Sequence, residues 1–133
     1  MKIMLDTNII ISAALFPNGR AAQAFRKSLR FPYEPLICDY IVDELRRKFR
    51  EKFFDRGSLL EEFLAIYLAH IRIVPTPSAA ISAENRIRDA KDRPILRAAV
   101  IAKSDLFLTG DKDFLESSIE NPKIISVSQF LSL

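Results

Sequence analysis

Short apolar runs that alternate with amphipathic stretches predict an α/β domain, in which a mainly parallel sheet lies between two layers of helices. The chain is 133 residues long, the size of one domain, so residues 1–133 are read as a single unit. Apolar residues make up 49% and charged residues 28%, a balance that fills one core and argues against disorder.

Lys2–Leu5 reads as a short buried strand ended by Asp6. Ile9–Phe16 continues as an apolar helix, stopped by Pro17-Asn18-Gly19. Arg20–Arg30 places Ala21, Ala24, Phe25 and Leu29 at helical spacing. Pro35–Cys38 is a second strand, and Asp39 can cap the helix after it. In that helix Ile41, Leu45, Phe49 and Phe53 recur every four residues and face the core. Ser58 is placed to cap the next helix, which carries Leu59, Leu60, Phe63, Leu64 and Tyr67. Ile71–Val74 is a third strand, followed by the loop Pro75-Thr76-Pro77-Ser78. Pro94 fits the first turn of a helix that runs to about Lys103 and is apolar nearly all round, so burial is expected on every side. Leu106–Thr109 is a fourth strand, Gly110-Asp111 a turn into a short helix, and Ile124–Val127 a final strand before Gln129–Leu133.

Composition narrows the chemistry. The net charge of +3 tolerates a polyanionic partner without demanding one. The single cysteine, Cys38, excludes an internal disulfide and a cysteine-rich zinc site, and suits a reducing cytoplasm. The apolar N-terminus is interrupted by Asp6 and Asn8 before membrane-spanning length, so the expectation is a soluble, cytoplasmic protein. No GxSxG elbow, Walker loop or GxGxxG is present. The only histidine, His70, ends an apolar helix, which leaves a Ser-His-Asp relay without members.

What remains is acidic. In a parallel sheet the ligand lies beyond the carboxyl ends of the strands, where Asp6, Asp39 and Asp111 are expected to stand. Asp6 could hold a hard cation or merely cap the following helix. Asp111 and Asp113, one residue apart on a glycine-bearing turn, could converge on one ion or divide into a cap and a solvated charge. Asp92, ahead of Pro94, fits the cap-then-proline start of any helix. At 100° per residue, Asp43 and Glu44 lie equally far from the apolar stripe of their helix, so periodicity leaves both open. Clustered carboxylates without a histidine base suit one chemistry: divalent ions that activate water for in-line attack on a phosphodiester.

The stretch Met4-Leu5-Asp6-Thr7-Asn8-Ile9-Ile10-Ile11-Ser12 resembles the opening of PIN domains, including VapC-type toxins of toxin–antitoxin pairs. Asp92-Arg93-Pro94-Ile95-Leu96, followed by Asp105 through Phe114, is similar to the family's second half. The resemblance spans nearly the whole chain. It implies a three-layer α/β/α fold, hydrolysis of RNA, and Mg²⁺ or Mn²⁺ held by Asp6, Glu44, Asp92 and Asp111. Glu44 is chosen over Asp43 because the family places a glutamate just before a leucine in this helix. Asp113 is implied as a supplementary metal ligand, with Asn8, Ser12 and Thr109 as supporting polar groups. The stretch Asp89-Ala90-Lys91-Asp92 departs from the Asp-Pro-x-Asp common in the family, which leaves the shape of that loop open.

Arg46–Lys52 is the most basic stretch, and Arg26, Lys27 and Arg30 form a second group. Both could bind a phosphate backbone or simply solvate an outer helix face. Phe53, Phe54 and Leu59–Leu68 offer an apolar surface for an antitoxin or for a second copy in a homodimer or higher oligomer, unless they are core. The leading reading is a metal-dependent endoribonuclease toxin. The alternative is a non-catalytic module that binds RNA or protein. A haloacid-dehalogenase-like phosphotransferase fits less well, because it wants a second aspartate where Asn8 stands.

Overall fold

The computed structural model describes residues 1–133. Five strands form one sheet: β1 (Lys2–Leu5), β2 (Glu34–Cys38), β3 (Arg72–Val74), β4 (Leu106–Leu108) and β5 (Lys123–Ile125). Their order is β3-β2-β1-β4-β5, and every neighbouring pair is parallel. The buried strand β1 pairs Ile3 with Leu106 and Leu5 with Leu108 on one side, and Ile3 with Pro35 on the other. Pro35 lies before the stretch of β2 that pairs with β3, which begins opposite Leu36. A residue without an N–H is tolerated there.

The helices are α1 (Thr7–Leu15), α2 (Arg20–Ser28), α3 (Asp39–Lys52), α4 (Gly57–Tyr67), α5 (Arg93–Ile101), α6 (Lys112–Leu115) and α7 (Val127–Leu131). The chain steps outward from β1 to β2 and β3, then crosses to the other side of β1 for β4 and β5. Right-handed crossovers therefore place the connections before and after that reversal on opposite faces. The expected three-layer α/β/α architecture is present. One cluster of 32 buried residues holds the layers together, with Phe25, Phe49, Phe107, Phe114 and Phe130 among its largest members. No helix is long and apolar enough to cross a membrane.

Several elements differ from the sequence reading by local physics. Cys38, not Asp39, occupies the cap of α3, and the Asp39 carboxylate accepts the Tyr40 and Thr76 amides and the Thr76 hydroxyl. Those bonds, the Thr76 hydroxyl foremost, hold its pKa below the ordinary value and tie β2 to the loop after β3. The acid at this strand end is spent on structure. Ser58 does not cap α4, because a 3-10 turn over Phe54–Arg56 leads straight into Gly57. The final strand ends at Ile125, since Ser126 and Gln129 form a capping box that starts α7. Helix α5 is buried on only one side: Ile95, Leu96, Ala98 and Ala99 are in the core, but Ile101 is 57% exposed.

The other face of α5 carries two arginines one turn apart. Arg97 makes two bonds of 2.8 Å to the buried Glu84 carboxylate and one of 2.9 Å to the Pro77 carbonyl. Arg93 donates to the Ile87 carbonyl at 2.9 Å. Together they pin the segment between β3 and α5. Glu84 has its pKa lowered, first by the Arg97 bonds, so this stabilisation is full above the unfolded value of 4.5 and is lost as pH falls through the lower folded value. Replacing Glu84 by Gln should cost about 2 kcal/mol at pH 7, typical of a charge-assisted bond. In denaturant melts the difference from wild type should vanish in acid; an equal loss at every pH would show that the charge is not what matters.

Candidate active site

The reversal of direction beside β1 opens the edge of the sheet between the ends of β1 and β4. The Asp6 amide donates to the Leu108 carbonyl at 3.0 Å, and the Thr109 amide to the Ile125 carbonyl at 3.1 Å. These bonds carry the sheet one residue past its strands and present Asp6 and Thr109 side by side on rigid backbone. The Thr109 hydroxyl, wholly buried, donates to Asp6 Oδ2 at 2.6 Å and accepts the Asp111 amide at 3.0 Å. One threonine thus links two of the expected acids.

Asp6 is only 4% exposed, and its other oxygen accepts the Thr7 amide at 2.8 Å. Burial raises its pKa to about 6; the Thr109 and Thr7 bonds oppose the rise, and the Asp111 and Glu44 charges add to it. The Thr7 hydroxyl, next along the chain, is buried without a protein partner. Asp111 stands at the start of α6 and accepts the Asp113 amide at 2.9 Å, so it does act as a cap.

Asp92 behaves differently from the cap-then-proline reading. It occupies the cap position of α5, yet its side chain makes no cap bond. Its carboxylate is free for other work. Burial pushes its pKa up to about 7, reinforced by the charges of Asp6, Asp89, Asp111 and Glu44. The structure also separates the pair that periodicity left open: Asp43 is exposed, whereas Glu44 is 4% exposed and paired with Arg47 at 3.5 Å. Asp6, Glu44, Asp92 and Asp111 therefore share one electrostatic neighbourhood. No three of them are gathered closely enough to form a closed ligand set.

A crevice of about 500 Å³ adjoins this neighbourhood, and no apolar side chain lines it. Glu44, Glu51, Asp89 and Asp92 provide its acids, and Arg47, Lys48, Lys52 and Lys91 its cations. The basic stretch of α3 is thus divided. Arg47, Lys48 and Lys52 face the crevice, while Arg46 pairs with Glu61 of α4 at 3.2 Å. The second basic group lies elsewhere, for Arg26 bonds the Pro17 carbonyl and Lys27 bonds the Phe130 and Leu133 carbonyls.

The remaining expected site residues are spread unevenly. Asn8 is exposed and accepts from Lys48 at 3.4 Å, a contact between α1 and the crevice wall. Ser12 is half-buried, and no hydrogen bond joins its side chain to the acids. Asp113 is paired with Arg88 at 3.2 Å, and its charge is not among the leading influences on Asp6 or Asp92. Arg47 belongs to the basic stretch already singled out, whereas nothing in the sequence marked Tyr40. Tyr40 lies one helical turn before Glu44, a spacing that puts both on one face of α3.

A sequence profile described as "PIN domain" matches residues 2–113. An uncharacterized protein of Methanocaldococcus jannaschii is 28% identical over 130 residues, covering 91% of this chain and 77% of its own length. Among solved structures, VapBC2 from Rickettsia felis bound to a DNA fragment from its promoter has a TM-score of 0.73 at 15% identity, covering 95% of this chain and 98% of the other. DNA-bound VapBC from Salmonella typhimurium scores 0.68 at 16% identity, with 96% and 98% covered. FitAcB from Neisseria gonorrhoeae scores 0.67 at 24% identity, with 95% and 98% covered.

The raised acids give a signed prediction. Asp6 and Asp92 have folded pKa values of about 6 and about 7 against an ordinary 3.8. Their favourable contribution is complete below the ordinary value and is lost as pH rises through the folded ones. In metal-free buffer, Asp92→Asn should melt above wild type at pH 8, and the advantage should shrink steadily towards pH 4. A variant that melts lower than wild type at pH 8 would mean that the Asp92 charge is compensated in the fold.

Proposed function

The chain belongs to the PIN domain family, and from that premise we propose that it is a metal-dependent endoribonuclease. Its substrate on this reading is RNA, and its setting is a cytoplasmic toxin–antitoxin pair in which it is the toxin. The observation that carries the reading is the sharing of one electrostatic neighbourhood by Asp6, Glu44, Asp92 and Asp111, with two of the four pushed toward neutrality. Such a group has more negative charge than the protein answers: Arg47, on Glu44, is the one cation bonded to it. A cation is the natural complement. The donors are all oxygen, which suits Mg²⁺ or Mn²⁺ better than zinc.

Asp6, Glu44, Asp92 and Asp111 would hold the ion, and Asp113 could join only by leaving Arg88. A bound divalent ion would supply an activated water and offset charge on the phosphodiester. The chain's own residues do the rest. Thr109 fixes the rotamer of Asp6 and the backbone of Asp111, so neither acid must be ordered when substrate arrives. Arg47, Lys48, Lys52 and Lys91, interleaved with the crevice acids, offer the phosphates positive charge. Asp92, whose pKa is raised to about 7 by burial and its neighbouring carboxylates, would give up its proton when the ion binds.

The toxin half of the proposal draws on the solved neighbours, which are two-component VapBC and FitAB-type assemblies. A partner protein would find an apolar surface on α4, where Ile66 is 60% exposed beside a cleft lined by Ala13, Phe25, Leu59 and Phe63. The same face could instead seat a second copy of the chain.

Two measurements test the nuclease. Asp6→Asn should stay folded by circular dichroism yet cleave single-stranded RNA at least about a hundredfold more slowly; undiminished cleavage by the folded variant removes Asp6 from the reaction. Mn²⁺ or Mg²⁺ should raise the wild-type melting temperature, less so in Asp111→Asn, and chelator should stop cleavage until metal is restored. Full activity in excess chelator would contradict the mechanism, and a folded protein that binds RNA without ever cutting it would favour the binding-module alternative.

A further inference from the structure

The loop that carries Asp92 is tied down through its flanks, with Arg86 bonded to the Ser118 carbonyl and Arg88 to Asp113 and Glu116 on the α6 side. Arg93 and Arg97 of α5 grip the Ile87 carbonyl, Glu84 and the Pro77 carbonyl, all on the segment leading into the loop. The loop itself is a turn closed by the Asp92 amide on the Asp89 carbonyl at 3.0 Å, with the Asp89 side chain accepting the Lys91 amide at 3.0 Å. Nothing in these bonds fixes the distance from Asp92 to Glu44, which sits across the crevice on α3. The Asp92 carboxylate has no cap bond to anchor it, and four neighbouring carboxylates repel it. Left to that repulsion, the loop would move away from the other acids.

One side-chain bond crosses from α3 to this loop. The Tyr40 hydroxyl donates to the Lys91 carbonyl at 2.7 Å, on the residue just before Asp92. Tyr40 is itself fixed: its ring is half-buried against the core, and its amide is held by Asp39 at 2.9 Å. The phenol also lies within the field of Glu44, Arg47 and Asp92. A rigid donor one turn before Glu44 is therefore bonded to the peptide one residue before Asp92.

We propose that Tyr40 is a positioning residue, which sets the separation of Glu44 and Asp92 by holding the Lys91 carbonyl against α3. The inference rests on the nuclease reading and adds to it a residue that acts through the Lys91 peptide. It also explains how this loop keeps its place with alanine at position 90. Ala90 is the second residue of the turn, a position where proline is favoured because its fixed φ stiffens the turn. Ala90 is exposed. Here the stiffening comes from outside the loop, through the tyrosine.

The test uses the full chain, with Mn²⁺ as the probe and a single-stranded RNA as substrate. Tyr40→Phe removes only the hydroxyl. The Mn²⁺ concentration for half-maximal thermal stabilisation should rise about tenfold, the size of effect expected for a group that orients ligands. The kcat should fall by about as much, with KM for RNA changed less, because Lys48 and Lys52 of the crevice keep their places while the Lys91 side is loosened. Ala90→Pro placed in the Tyr40→Phe protein should recover most of both losses. A purely structural tyrosine would lower the metal-free melting temperature while leaving Mn²⁺ affinity and kcat as they were, and that result overturns the proposal. Wild-type protein that neither responds to Mn²⁺ nor cleaves RNA would overturn the nuclease reading itself, whereas an active wild type with an indistinguishable Tyr40→Phe overturns only this inference.

Discussion

Four carboxylates that repel one another share one neighbourhood beside the edge of the sheet, and much of the local structure can be read as what keeps them there. The Thr109 hydroxyl is the central restraint. It gives its proton to Asp6 and takes the amide of Asp111, so the ends of β1 and β4 cannot drift apart without breaking a buried bond. The backbone bond from Asp6 to Leu108 and the packing of the core beneath supply the rigid base. Burial then makes the repulsion costly, since charges out of water are poorly screened. Asp6 and Asp92 respond by holding on to protons.

Much of this arrangement was legible in the sequence, and the misses have local causes. The strands and their order of alternation followed from short apolar runs, and Asp6 and Asp111 were found because each ends such a run. Asp39 looked equivalent to them, yet Thr76 from the neighbouring loop claims its carboxylate, a contact no single-segment pattern contains. Periodicity could not choose between Asp43 and Glu44, because both lie equally far from the apolar stripe and only the fold shows that Glu44 is the buried one. Asp92 read as a cap. Its side chain makes no cap bond, and only the folded chain reveals that difference. Tyr40 escaped notice since its partner is a backbone carbonyl, which leaves no mark in composition or spacing.

Charge is distributed in a way that suits the proposed polyanionic substrate. Acids and cations are interleaved on both walls of the crevice, so a phosphate chain could be gripped beside a bound cation. The mildly basic overall balance hides this, because Arg26 and Lys27, which look equally suited to RNA, are spent on the Pro17 and Phe130 carbonyls. Net charge is thus a poor guide to where a substrate lies, and the local pairing of each side chain a better one. The Glu84–Arg97 clamp and the Tyr40 hydroxyl extend the same logic to the loop bearing Asp92, which has no sheet bonds of its own.

The central claim is that these acids form a site for a divalent cation and carry protons in its absence. Calorimetric titration of the metal-free protein with Mn²⁺ at pH 6.5, in two buffers of different ionisation enthalpy, measures that directly. With Asp6 and Asp92 at about 6 and about 7, binding should release roughly one proton per protein at this pH, and fewer at pH 8.5. Binding that releases no protons at pH 6.5, or no binding at all, would contradict the account.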